Sequence, residues 1–216
     1  MDAAKRCFAR HGFAGTTTRS VAAAAGISEG LLFKHFPTKA ALYAEILADS
    51  CQTDPGLLKL QSLEPSTATL VTLIREMVAH FVHASNSPDH EEVQRLKLVV
   101  SSHLEGGEFA RLLFDKIGVI IEPMFEASLA RAVASGDAVQ SDTPSRDLFW
   151  FVHQALLMLA LSRLPAMPTV SFSDAGALER QVCEFVLRGI GIKEGAIARL
   201  LGDDAQPSPI LVSESA

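Results

Sequence analysis

A chain of 216 residues with 48% hydrophobic content is long enough for one large or two small domains, with apolar material to spare for a core. A formal net charge of −6 excludes a surface that coats nucleic acid on all sides, and three scattered cysteines (Cys7, Cys51, Cys183) have neither metal-ligand spacing nor the even count of a disulfide framework. The longest apolar run, around 155–161, falls short of the ~18 residues that a membrane span needs, and no signal-peptide pattern opens the sequence, so a soluble, cytoplasmic protein without a membrane partner is expected.

Charge is distributed unevenly. Residues 1–50 hold six Lys/Arg against four Asp/Glu, whereas residues 51–216 hold 13 against 21. Such a contrast allows a local basic footprint on an acidic body.

The segment 16–39, TTTRSVAAAAGISEGLLFKHFPTK, carries the most information. Thr17 or Thr18 can cap a short Ala-rich helix by accepting from its first free N–H groups. Val21 and Ala25, one turn apart, then form its buried face, with Ala22 small enough for a close crossing. Gly26 supplies a left-handed stop without a Cβ penalty, Ile27 anchors the turn and Ser28 caps the next helix. There Leu32 and Phe36 share one face, while Gly30 and Lys34 lie roughly opposite and Leu31 and Phe33 flank them. Pro37 ends this helix, and Thr38 with Lys39 opens another. Two short helices joined by one glycine turn, the second with a polar outer face, form a helix-turn-helix pattern.

The run FARHGFAGTTTRSVAAAAGISEGLLFKHFPTKAALYAEIL resembles the N-terminal DNA-binding domain of the TetR family of bacterial regulators. The likeness covers about residues 1–50 and rests on the HGF.GTT approach and the A..AG.S.G.L..HF..K..L spacing. It implies roles for ten residues. Thr18 and Arg19 match positions that touch phosphate and base edges, and arginine can donate two hydrogen bonds to a guanine edge. Ser28, Glu29, Gly30 and Leu31 would head the recognition helix and face the bases. Lys34 and His35 would grip phosphates, and Lys39 would do so from the next helix. Phe33 stands where the family usually has Tyr, so a phosphate-reaching hydroxyl is missing. Leu31, at a position often small or hydroxylated, can pack on a thymine methyl. The chain begins inside the family's expected first helix, without the usual basic arm; either the start lies upstream or arm contacts are lacking.

Beyond residue 50 the pattern is helical throughout. Pro55–Gly56 and Glu64–Pro65–Ser66 punctuate a linker zone. From Ser66 to about Ala84, apolar residues recur at three- and four-residue steps (Leu70, Leu73, Ile74, Met77, Val78, Phe81) and predict an amphipathic helix. A turn at Asn86–Ser87–Pro88 leads to a helix through Val93, Leu96, Val99 and Val100, and Gly106–Gly107 breaks it. A long helix follows from Glu108 to about Ser135, kinked or divided at Pro123. Two C-terminal helices are expected near 145–164 and 174–190, and the tail from Gly202 reads as disordered.

The resulting expectation is an all-α protein: a three-helix helix-turn-helix domain (1–50), a helical effector-binding and dimerisation domain (51–201) and a tail (202–216). Met77, Phe81, Leu96, Phe125, Trp150, His153 and Met158 are candidates to line an effector pocket, which favours an apolar or aromatic small molecule; plain core packing is the bland alternative for each. Leu148, Phe151, Val152, Leu178, Val182 and Phe185 give the last two helices wide apolar faces, and the family resemblance assigns such faces to a homodimer interface. An isologous dimer also explains how two recognition helices would read a palindromic double-stranded operator. His80 and His83 sit at i and i+3, with His90 and His103 further along, but capping or surface histidines are the plainer reading. No metal, cofactor or catalytic residue is expected, since no nucleophile–base motif or phosphate loop appears. A repressor released by an effector is the leading reading, and a dimeric small-molecule-binding protein with weakened or lost DNA binding is the alternative.

Overall fold

The computed structural model describes residues 1–84, 90–104, 106–164, 169–172, 174 and 176–202. Among them are eleven helices and no strand beyond a single antiparallel bridge between Ala138 and Ile192. In chain order they are α1 (Asp2–Gly15), α2 (Thr18–Ala25), α3 (Glu29–His35), α4 (Lys39–Thr53), α5 (Pro55–Gln61), α6 (Thr67–His83), α7 (His90–Leu104), α8 (Glu108–Ala134), α9 (Ser145–Arg163), α10 (Leu178–Gly189) and α11 (Glu194–Leu201). The all-α expectation holds. The turn foreseen at 86–88 and the tail after Gly202 lie outside the described residues.

The chain forms two compact units. The first comprises Met1–Thr53 with Ser87–Ile120, the second Asp54–Asn86 with Ile121–Ala216. The division therefore differs from a simple cut after residue 50. It runs through α8, and α7 joins the N-terminal helices.

In the first unit, α1 bends where Gly12 takes φ 66°, ψ 179°, a conformation strained for any residue with a Cβ. The bend lets Phe8 and Phe13 stack with centroids 6.1 Å apart and share Tyr43 at 4.7 and 5.4 Å. Phe109 of α8 closes this cluster at 5.6 Å from Tyr43. Helix α4 adds Leu42, Ala44, Ile46, Leu47 and Ala48 to the core of this unit.

In the second unit α6 is the central helix and packs against α9, α10 and α11. Ser66 caps it by accepting from the Thr69 amide, and Leu70, Leu73, Ile74 and Val78 are almost wholly buried. Phe149, Leu156 and Ala160 of α9 and Leu178 and Leu187 of α10 meet them. Each buried large apolar side chain contributes about 2 kcal/mol relative to exposure. Helix α8 continues through Pro123 as one element rather than dividing there. Two short helices went unforeseen. Pro55, read as a linker signal, is the first residue of α5, where its missing N–H costs nothing, and Asp54 caps the helix. The eight residues of α11 follow α10 after a turn at Gly191.

Candidate nucleic-acid interface

The reading head is built by capping rather than by bulk. Thr17 is the N-cap of α2: its hydroxyl accepts from the Ser20 amide, and Ser20 Oγ accepts from the Thr17 amide. Gly26 ends α2 with φ 68° in the left-handed region, and the Ile27 amide then donates to the Ala22 carbonyl at 3.0 Å. Ser28 caps α3 by accepting from the Leu31 amide at 3.1 Å. This one stop and these two caps set the angle between two helices that share only Val21, Ala22 and Leu32 as buried apolar side chains. Ala25, expected on the buried face, is exposed, because α2 ends there and turns its last residue outward. Ile27 is likewise partly open at 36%. Phe36 lies beyond the end of α3, half-buried, as its C-cap.

The outer surface of the head carries Arg19, Ser28, Gly30, Leu31, Phe33, Lys34 and His35, all exposed. Leu31 and Phe33 are each 43% exposed, large apolar groups held in water beside Lys34. A Cβ at Gly30 would meet open space, so nothing bulkier than backbone stands at the centre of this face. Thr18 and Glu29 are half-buried and joined by a hydrogen bond of 2.6 Å from the Thr18 hydroxyl.

Lys39 departs from its expected phosphate-gripping place. Its Nζ donates to the carbonyls of Phe13 at 2.8 Å and Thr16 at 3.0 Å and lies 4.3 Å from the Phe13 ring centroid. Burial holds its pKa below the usual lysine value. Thr16, fully buried, places its hydroxyl 2.7 Å from the Gly12 carbonyl oxygen. Lys39 and Thr16 thus absorb the carbonyls left over where α1 bends and stops, which fixes the chain entering α2.

The second unit rearranges the remaining expectations. Phe81, Phe125, Phe149, Trp150 and His153 form one aromatic cluster, with His153 set edge-on to Phe81 and 5.2 Å from both the Phe81 and Trp150 rings. The Trp150 indole donates to Glu122 at 2.7 Å. Burial, reinforced by His80, pushes the His153 pKa down to about 4. Met77 is buried on α6. Leu96 does not belong with them, since α7 lies in the other unit, and Met158 is 65% exposed on the outside of α9. Leu148, Val152 and Leu178, expected to meet a partner, are instead core residues of this unit. On α9 and α10 the large apolar side chains that stand exposed are Phe151, Met158 and Phe185, the last 71% exposed, with Val182 half-buried. An open groove of about 320 Å³ is lined by Ala155 and Leu159 of α9, Val182 and Phe185 of α10, and Phe172. His83 pairs with Glu179 at 3.1 Å, and His103 sits 2.7 Å from the Val99 carbonyl in the other unit.

A capped, glycine-turned pair of short helices with a basic and apolar outer face defines the class: a helix-turn-helix DNA-binding transcriptional regulator. The chain matches, over residues 1–46, the family model described as bacterial regulatory proteins, tetR family. It is 24% identical over 156 residues to the transcriptional repressor AcnR of Corynebacterium glutamicum, which covers 72% of this chain and 75% of the relative. Among solved structures, RolR, without ligand, shares the fold with a TM-score of 0.61 at 14% identity, covering 94% of this chain and 95% of its own. FadR from Bacillus subtilis, in complex with stearoyl-CoA, follows at a TM-score of 0.52 and 14% identity, covering 87% and 96%. No described helix is long and apolar enough to cross a membrane.

Proposed function

We propose that the chain is a homodimeric repressor that binds a palindromic operator through α2 and α3 and is released by a small-molecule effector. The observation that carries this reading is the outer face of the head, where Arg19, Lys34 and His35 stand exposed around a glycine centre. Lys34 and His35 grip phosphates, Arg19 reads a base edge, and Leu31 packs on a thymine methyl. The Lys39 ammonium, already engaged, acts on DNA by holding the head in place. The alternative, a dimeric binding protein without DNA affinity, gains no specific observation.

The effector site we propose is the aromatic cluster of the second unit, among Met77, Phe81, Phe125, Trp150 and His153. These side chains are mainly apolar, with an imidazole, and an indole bonded to Glu122, as polar groups, which suits an apolar or aromatic molecule. FadR, of like fold, holds a molecule with a long acyl chain, which supports the apolar preference. The partner subunit docks on Phe151, Met158, Val182 and Phe185. Three large exposed apolar groups on two neighbouring helices are costly in a monomer and are the surface a second copy would cover.

The test is a gel-shift with the duplex upstream of the protein's own gene at several salt concentrations. Binding that weakens steeply with salt supports the regulator; no shift at low salt sinks it. Sedimentation of Phe185→Asp checks the dimer: a monomer is expected, and an unchanged dimer would move the interface elsewhere.

A further inference from the structure

Thr18 and Glu29 are eleven positions apart, and each is the first residue of its helix, α2 and α3. The 2.6 Å bond between the Thr18 hydroxyl and Glu29 Oε1 is the length of a strong hydroxyl–carboxylate bond. It fixes the carboxylate in one orientation, whereas Arg19, Lys34 and His35 on the same face stand exposed. A carboxylate accepts at both oxygens, so Oε2 keeps its acceptor capacity. No ion pair engages Glu29 among the described residues. Gly30 beside it has open space at its missing Cβ, which allows close approach of the α3 backbone to a groove.

A fixed anion on a surface that meets a polyanion is repelled unless it finds a donor. In the major groove guanine and thymine present acceptors, and adenine presents its amino group next to the acceptor N7. Cytosine alone offers an amino donor without an adjacent acceptor on the same base. Building on the reading of this head as DNA-binding, we propose that Glu29, held by Thr18, selects a cytosine in each half-site by accepting a hydrogen bond from its N4 amino group. Thr18 is the positioning residue and Glu29 the specificity-determining one.

The experiment is selection from a random duplex library with the full-length protein, wild type, Glu29→Gln and Thr18→Val, followed by sequencing and by anisotropy titration of the enriched duplexes. The wild type enriches a palindrome containing a C·G pair whose change to T·A weakens binding about tenfold. Glu29→Gln loses that preference and moves it toward adenine, which a carboxamide reads with two hydrogen bonds. Thr18→Val keeps the palindrome but lowers the discrimination between C·G and T·A to about threefold, because the carboxylate is no longer held. An enriched palindrome whose base preferences are the same in the wild type and Glu29→Gln overturns the proposal while leaving the DNA-binding reading intact. So does a Glu29→Gln protein that binds every duplex tighter by one factor, since the carboxylate then only repels phosphates. Unchanged discrimination in Thr18→Val removes the positioning role. If Glu29→Gln fails to fold, the wild type decides: less than twofold discrimination at every enriched C·G pair overturns the proposal. A wild type that enriches no sequence at any salt overturns both readings together.

Discussion

The two units spend their residues in opposite ways. The reading head buries three apolar side chains of α2 and α3 and fixes its geometry with caps, a left-handed glycine and one lysine on two carbonyls. The second unit buries whole faces of α6, α9 and α10 and uses polar bonds mainly at its edges. The difference follows from what each must leave exposed. A helix that enters a groove cannot also be covered, so its position has to come from local hydrogen bonds. A body that carries the head has no such limit and can rely on burial.

That contrast is sharpened first by deletion in the body. Phe149 is fully buried, and Phe149→Ala is expected to cost about 4 kcal/mol in urea unfolding, because a cavity is added to the lost transfer energy. In the head, Val21→Ala should cost about 2 kcal/mol, the smaller figure set by two lost methyl groups. Equal losses at both sites would break the comparison.

Acid comes next. His153 is held at a pKa of about 4, below the ordinary imidazole value of 6.5. Between those values the unfolded chain binds a proton that the folded chain refuses, so stability falls as pH drops from 6.5 toward 4. The full contribution is about 3 kcal/mol, complete above the unfolded value and gone below the folded one. Unfolding curves at pH 7.5, 5.5 and 4 should show the loss, and His153→Phe should flatten it. An equally steep pH profile in that variant would assign the loss to other groups.

An effect of about 2 kcal/mol, similar to that at Val21, is expected at Lys39. Lys39→Met should lower stability by this amount and leave the salt dependence of DNA binding nearly unchanged, because the ammonium serves the α1 carbonyls. A shallower salt slope with unchanged stability would return Lys39 to the phosphate contacts.

Much of this was readable from the chain itself, and the failures share a cause. The bounds of α6 followed from apolar spacing, and the Gly26 stop and Ser28 cap from turn chemistry, since both signals are local. Pro55 misled because proline marks a turn and a first helical residue alike. Lys39 misled because its partners, the carbonyls of Phe13 and Thr16, become free only where α1 bends at Gly12. Leu148, Val152 and Leu178 were assigned to a partner because periodicity finds an apolar face without saying what covers it; α6 covers part of α9 and α10, and Phe151, Met158 and Phe185 are what remains. The Thr18–Glu29 bond has no sequence signal, because it depends on the angle between α2 and α3.

The central claim, that the outer face of α3 meets a DNA backbone, is tested most directly at Lys34. The measurement is the slope of log Kd against log salt for the wild type and Lys34→Ala on one duplex. The slope is predicted to fall by about 0.9 for each lysine removed from a phosphate, with affinity reduced alike on all sequences. Identical slopes for the two proteins, or no binding by either at low salt, would contradict it.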